Sequence, residues 1–287
     1  DGIHANDLDT LFPAYLVAKI RSKPLVYDSH EYFTGVPELV NRPRVQKVWR
    51  SIEAFIFPKL KHVITVNESI ADLYEKDYGN RPVVVRNIPE IAVSQLELRS
   101  RESLELPEDK FIIILQGNGI NVQRGAEEAV QMMAFLEGCL LLIAGSGDVI
   151  PILKDMVIEQ KLSQKVTFLP RMPYSELMQI TAVCDLGLSL DKDTNINYRF
   201  SLPNKLFDYI HAGIPVLASD LPEVKKIVES YSVGKIAPSH DPKELARLVD
   251  AIRIDKTALA DYKVNCKLAS ADLTWEKEAL VLDRFYL

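Results

Sequence analysis

The 287-residue sequence has only three cysteines, Cys139, Cys184 and Cys266, too few and too far apart to staple a small secreted fold. Odd in number, with two inside apolar runs, they read as reduced core thiols of a cytoplasmic protein. No apolar run approaches the ~18 to 20 residues of a membrane span, and the opening Asp1-Gly2-Ile3-His4 is not a signal peptide. Positive charge is in deficit: 34 Lys and Arg stand against 40 Asp and Glu, a net charge of −6. A broad phosphate-backbone footprint needs the opposite balance, so no nucleic-acid partner is expected. An initiator Met is also missing, and the chain is expected to be part of a longer product.

At 47% hydrophobic and 26% charged residues, the composition is that of a globular protein, and the length favours two domains. Short runs rich in Val, Ile and Leu alternate with segments of helical period, as in βαβ units. The expected strands are Leu25 to Asp28, His62 to Val66, Val83 to Val85, Phe111 to Leu115, Leu140 to Ala144, Val166 to Leu169, Leu186 to Leu190 and Val216 to Ser219. Nearly all are continuously apolar, which suits parallel strands covered on both faces. Gly2 to Ala5 reads as the tail of one more. Asp241 with Pro242 marks a helix start, as N-cap and first helical residue.

The rhythm stops across the polar segment 90–105, where the domain boundary is expected. The fold class is therefore α/β with two Rossmann-like doubly wound domains, the first incomplete. The first spans 1–93 and the second 106–271, and a terminal helix over 272–287 can pack back across the linker.

The most informative stretch runs from Tyr198 to Ser219. Ser201 is expected to cap a helix with Pro203 in its first turn, so that backbone N–H groups face outward beside the Lys205 ammonium, an anion site. Asp208 lies three residues after Lys205 and four after Asn204, where its carboxylate can take two hydrogen bonds from a diol. Phosphate plus diol means a nucleotide. The plainer alternative is that Lys205 and Asp208 are a solvated helix pair. Two strand-to-helix loops point at the same crevice: Gln116-Gly117-Asn118-Gly119-Ile120 leading to Arg124-Gly125, and Gly145-Ser146-Gly147-Asp148.

With Phe168 to Leu177 between them, these features resemble the nucleotide-sugar-binding domain of the two-Rossmann (GT-B) glycosyltransferases, family 4, the retaining group. The resemblance rests on Arg124-Gly125, the Gly145 to Asp148 turn, Phe168 to Pro173 and the Pro203 to Tyr209 signature. In the first half it rests on Val26 to Glu31, Val63 to Asn67 and Arg86 to Pro89. It implies that Arg124 and Lys205 neutralise the donor diphosphate without a metal or other cofactor, and that the turn around Ser201 to Asn204, with Pro203 in it, lines the donor and adds backbone and side-chain donors. It also implies that Gly117, Asn118, Gly119, Gly145 and Gly147 line the donor, that Asp208 holds the ribose, and that Arg171 and Met172 border the base. His30 is implied near the transferred sugar, with Asp28 and Glu31 on the acceptor side, and the acceptor is a glycan or lipid-linked hydroxyl. Transfer is expected with retention, a phosphate oxygen taking the acceptor proton. The family's usual Glu eight positions before Asp208 is replaced by Phe200, and Asp191, Asp193 or Asn195 are the candidates to substitute. The family's first strand and glycine-rich loop are expected upstream of residue 1. The alternatives are a nucleotide-sugar epimerase or phosphorylase on the same fold, or an inactive donor-binding fragment.

His4 and His62 read as structural. Asp28, His30 and Glu31 cluster at a strand end, but no further His or Cys has ligand spacing, so no metal is expected. The stretch Val45 to Leu60 carries Trp49, Phe55 and Phe57 among Arg42, Arg44, Lys47, Arg50, Lys59 and Lys61. It reads better as a core helix with a solvated basic side than as a peripheral membrane-surface face on the inner leaflet.

Overall fold

The computed structural model describes residues 1–90 and 99–286. The expected end of the first domain at residue 93, part of the expected linker, and Leu287 lie outside the described residues. In chain order the strands are β1 (Ile3–Asn6), β2 (Leu25–Ser29), β3 (His62–Thr65), β4 (Val83–Val84), β5 (Phe111–Gly117), β6 (Cys139–Gly145), β7 (Val166–Leu169), β8 (Leu186–Ser189), β9 (Val216–Ser219) and β10 (Gly234–Ala237). The α-helices are α1 (Asp7–Arg21), α2 (Pro37–Val40), α3 (Pro43–Ile56), α4 (Glu68–Tyr78), α5 (Ala126–Met132), α6 (Ile150–Glu159) and α7 (Tyr174–Ala182). They continue as α8 (Ile196–Arg199), α9 (Asn204–His211), α10 (Pro222–Tyr231), α11 (Pro242–Ile254), α12 (Lys256–Asp272) and α13 (Trp275–Tyr286).

The chain forms two compact units. The second, Pro89–Lys192 and Pro203–Thr274, is built on a six-stranded parallel sheet of order β10-β9-β8-β5-β6-β7. Its central strands β5 and β6 are apolar but for Gln116 and buried along nearly their whole length, because helices cover both faces. The edge strand β10 escaped the sequence reading: Gly-Lys-Ile-Ala is mostly half-buried at the sheet edge and never forms a continuous apolar run. Helix α11 starts as expected, with Asp241 Oδ1 accepting from the Lys243 and Glu244 N–H groups at 3.0 Å each. Numbered from β5, the strand order is that of a doubly wound dinucleotide fold, and its direction reverses between β5 and β8. Such sheets bind ligands outside the carboxyl ends of the strands at that switch point.

The first unit comprises Asp1–Ile88, Asp193–Leu202 and Trp275–Leu287, on a four-stranded parallel sheet of order β1-β2-β3-β4. One face packs on α1, α3 and α4 through Leu8, Leu11, Ile56, Phe57 and Tyr74. The other, Val26, Ile64 and Val85, is closed by Trp275, Val281, Leu282 and Phe285 of α13. Glu278 of α13 is buried and clasps Arg86, accepting from its backbone N–H at 2.8 Å, Nε at 2.9 Å and Nη2 at 2.6 Å.

The segment Asp193–Leu202 falls inside the 106–271 span expected for the second domain, yet it belongs with the first unit. Asn197 Nδ2 donates to Glu31 Oε2 at 2.8 Å, and Asn67 Nδ2 donates to the Phe200 carbonyl at 2.8 Å. Ile196 sits so close to Gly35 that a Cβ there would lie 2.2 Å from its Cγ2.

Candidate functional site

At the switch point of the second unit lies a cleft of about 260 Å³, lined among others by Gly117, Gly119, Arg124, Pro203, Asn204 and Lys205. The β5 loop brings Arg124 to it and the first turn of α9 brings Lys205. Between them, just past β8, sits Asp191, with a side chain only 1% exposed. Arg124 Nη1 donates to Asp191 Oδ1 at 2.9 Å, and Lys205 Nζ lies 3.0 Å from Oδ2. Burial alone pushes this carboxyl upward, but the attraction of Lys205 and then Arg124 outweighs it and holds the group below the usual carboxylate range. Asp191 is therefore ionised at neutral pH, and two cations on one anion leave the cleft with a net positive charge. This corrects the expectation for Asp191 as a sugar contact: it is the buried counter-ion of the two cations. The other candidates for the missing Glu are also engaged. Asn195 Oδ1 caps α8 by accepting from Tyr198 N at 2.9 Å, and Asp193 lies 3.7 Å from Arg199.

Helix α9 is fixed at its centre by Tyr209, wholly buried, whose hydroxyl donates to the Leu188 carbonyl at 3.1 Å and accepts from Gln116 N at 3.2 Å. That bond pattern pins the helix across β5 and β8. Gly187 makes room for the ring, since a Cβ there would come within 2.3 Å of it. Ser201 does not cap α9. Its hydroxyl donates to the Tyr198 carbonyl at 2.9 Å, and α9 opens at Asn204 behind Pro203 with no side-chain cap. Its positive dipole end, where the Leu206 N–H is taken by the Pro203 carbonyl at 3.0 Å, gives the cleft a second source of positive potential.

Asp208 and Lys205 are not a solvated pair. Asp208 is buried, its Oδ1 accepting from Tyr174 Oη at 2.8 Å and its Oδ2 from Gln116 Nε2 at 2.9 Å. The Thr181 hydroxyl lies 2.7 Å from Gln116 Oε1 and 2.8 Å from the Leu177 carbonyl, with one hydrogen to give to the two acceptors. The expected diol-binding carboxylate thus already holds two protein donors, and only its remaining lone pairs are available to a ligand. Gln116, Tyr174 and Tyr209 were missed as partners, because nothing in their spacing shows that three elements meet at one carboxylate.

Burial raises the Asp208 carboxyl to about 6, against the lowering effect of Tyr174 and Gln116. A carboxyl raised above its unfolded value of 3.8 contributes stability that is fully present below 3.8 and is lost as pH rises through about 6. The span corresponds to about 3 kcal/mol. Asp208→Asn should remove this slope, because a flipped Gln116 amide lets Thr181 accept while it still donates to Leu177. The difference between the wild-type and variant stabilities, measured by urea unfolding from pH 4 to 8, is expected to fall by roughly that amount across the window. A constant difference would refute the assignment.

The remaining sequence-predicted residues are placed as follows. Gly145 and Gly147 serve loop packing: a Cβ on Gly145 would lie 1.9 Å from the Gly117 carbonyl oxygen, and one on Gly147 would lie 2.0 Å from that of Ile120. The two loops are joined by Ser146 N donating to Gly117 O at 3.1 Å and Ile120 N donating to Ser146 O at 3.0 Å. Asn118 is exposed beside the cleft, whereas Arg171 and Met172, after β7, do not line it. In the first unit, His30 is held by Asp7: its backbone N donates to Oδ1 at 3.0 Å, and Nδ1 lies 3.1 Å from Oδ2. Its Nε2 is 3.7 Å from Asp28 Oδ2. Although burial works against the charged ring, the Asp7 bond and the Asp28 charge raise the His30 pKa. Burial raises that of Asp28. Asp7, at φ 57°, was not anticipated from sequence. Among the described residues no group of three or more His, Cys, Asp or Glu is arranged to hold a metal ion.

The profile of the family described as glycosyl transferases group 1 matches residues 97–267, and that of Glycosyltransferase Family 4 matches residues 1–89. The chain belongs to the glycosyl transferases group 1 family. Its fold is that of sucrose-phosphate synthase from Thermosynechococcus elongatus, with a TM-score of 0.81, 18% identity and coverage of 99% of this chain and 72% of that one. It is likewise that of HepE from Anabaena in complex with UDP, with a TM-score of 0.80, 17% identity and coverage of 99% and 78%. At these identities the likeness establishes the GT-B fold. In sequence, the chain is 28% identical over 141 residues to chitobiosyldiphosphodolichol beta-mannosyltransferase of Candida albicans, a stretch covering 48% of this chain and 30% of that protein.

Proposed function

We propose that this group 1 family member transfers a sugar from a nucleoside-diphosphate donor to a hydroxyl of a glycan or lipid-linked acceptor. The observation that carries the reading is the pair of cations, Arg124 and Lys205, held on buried Asp191 at the switch-point cleft. Preorganised positive charge there stabilises the departing diphosphate, the part a divalent metal plays in other sites, so the reaction needs no metal. The acceptor oxygen forms its bond to the anomeric carbon as the bond from that carbon to the diphosphate oxygen breaks. The acceptor proton passes to a phosphate oxygen on the same face, with retention. Asp191, clamped by two cations, and Asp208, held by Tyr174 and Gln116, do not serve as the base. The assignments of His30 to the sugar and of Asp28 and Glu31 to the acceptor side rest on family resemblance. The structures of HepE with UDP support a nucleotide donor, and the name of the Candida protein supports a lipid-linked acceptor. Three buried free thiols fit a reducing, cytoplasmic setting.

Thermal unfolding with UDP, GDP, ADP and CMP, with and without EDTA, tests the donor, because a ligand of the native state raises apparent stability. A shift selective for one diphosphate and insensitive to EDTA is expected. Lys205→Ala should weaken diphosphate binding by about 2 kcal/mol or more while sparing the nucleoside. Equal losses for both ligands would remove the phosphate role. The relative's name specifies a beta-linked product, so the anomeric configuration read by NMR decides between retention and inversion.

A further inference from the structure

Helix α3 turns its bases outward, with Arg44, Lys47 and Arg50 all exposed, and buries one acid, Glu53, which is 0% exposed. Its Oε2 accepts from Tyr78 Oη of α4 at 2.7 Å, but its Oε1 is buried with no partner. An ionised carboxylate would leave that oxygen charged and desolvated with nothing donating to it, whereas a neutral acid carries its proton there. Two more oxygens around it, Tyr27 Oη of β2 and Thr34 Oγ1 of the turn that follows, are also buried without partners. The ionisable groups that face Glu53 are Tyr27, Tyr32 of the same turn, and Tyr74, Asp77 and Tyr78 of α4. None of these is a cation, and α1, a further element against α3, turns Tyr15 to the Phe55 ring instead. Burial therefore pushes the carboxyl up to about 7, with the Tyr78, Tyr74 and Thr34 hydroxyls working against it and the Asp77 charge with it.

The same hydroxyls hold the turn that carries His30 and Glu31. Ser29 Oγ donates to the Glu31 carbonyl at 2.8 Å, so in the 2.8 Å contact between Tyr74 Oη and Ser29 Oγ the phenol is the donor. Tyr32 Oη donates to Asp77 Oδ2 at 2.5 Å, and Gln46 Nε2 of α3 donates to the Thr34 carbonyl at 2.8 Å. Phe33 meets Trp49 of α3 edge-on at 5.4 Å. Tyr74 thus has one hydrogen for two acceptors, Ser29 and Glu53. We propose that Glu53 is a proton switch beneath the 29–35 turn, holding it when neutral and loosening it when ionised. Loss of the proton to solvent leaves a carboxylate that draws the Tyr74 and Thr34 hydroxyls to itself, and Ser29 gives up its donor. The turn then keeps fewer bonds to α4, and His30 and Glu31 move more freely on it. A carboxyl raised from 4.5 to about 7 contributes stability that is fully present below pH 4.5 and lost as pH rises through about 7. This inference does not rest on sugar transfer.

The test is hydrogen exchange of the full chain from pH 5 to 8.5, read by mass spectrometry on peptides from 27–36 and 45–56 and corrected for the pH dependence of the intrinsic rate. No nucleotide is present, so failure of the switch and failure of the proposed reaction are seen separately. The opening constant of both peptides should rise by about tenfold or more from pH 5 and level off near pH 7. Glu53→Gln keeps a neutral donor and acceptor in place and should hold the constant within about twofold over that range. Tyr78→Phe removes a donor that favours the charged form, so the rise should continue to a higher pH before it levels off. That limit reads the proton affinity of the folded state, and a general loss of stability does not imitate it. Protection indifferent to pH in the wild type, the same rise in the Gln variant, or a Tyr78→Phe limit at or below that of the wild type would overturn the proposal.

Discussion

Asp191→Asn is expected to destabilise the second unit by about 3 kcal/mol, and saturating pyrophosphate is expected to recover most of that loss. Removing the charge leaves Arg124 and Lys205 facing a neutral amide whose oxygen can accept from only one of the two donors, while its N–H₂ group faces the other. Breaking a buried ion pair on one side costs more than the pair contributes, because the remaining charge stays desolvated. Here two charges remain. A diphosphate entering the cleft supplies the lost negative charge without the repulsion Asp191 exerts on it. The thermal shift on adding pyrophosphate should therefore be larger in the variant than in the wild type. A smaller shift would mean that Asp191 orients the cations for the ligand more than it competes with it. Equal shifts would detach the triad from phosphate binding.

Gly145→Ala is expected to cost at least about 3 kcal/mol and to abolish nucleotide binding. The methyl group would meet the Gly117 carbonyl oxygen at 1.9 Å, at a φ of +128° that L side chains rarely adopt. Relief requires the β5 and β6 loops to separate, which breaks the Ser146-to-Gly117 and Ile120-to-Ser146 bonds and moves Gly117 and Gly119 out of the cleft wall. Gly213→Ala is the control. Its φ is +75° but no atom lies within 4 Å of the added carbon, so only backbone strain of about 1 kcal/mol is expected, with binding retained. Urea unfolding and UDP titration of both variants measure the difference. Equal behaviour of the two would show that the loop contact does not shape the cleft.

The contrast between these sites shows which features the sequence carries. Strands β5, β6 and β9 were legible because both faces are buried and the apolar run is unbroken, whereas β10 was hidden by its edge position. Arg124 and Lys205 were legible because a cation after a strand, or in the first turn of a helix, has few core roles. The role of Asp191 was not, since it depends on two residues 67 and 14 positions away meeting at one buried carboxylate. Asp208 was found as a carboxylate on the right helix, but its two protein donors were not foreseen, because Tyr174 and Gln116 come from α7 and β5. Ser201 misled for a local reason. A serine two residues before Pro203 looks like an N-cap, but the short helix α8 ends just before it and takes its hydroxyl.

The clasp between Glu278 and Arg86 has a consequence for biosynthesis. Residues 26, 64 and 85, on the face that α13 closes, leave the ribosome early, but their cover is not translated until residues 275–286. The second unit owes little to those last residues and can assemble first. The unit that begins the chain is thus completed after the one that follows it, reversing the usual N-to-C order of co-translational folding. A stalled or C-terminally nicked chain would carry a finished second unit and an open, aggregation-prone sheet face in the first.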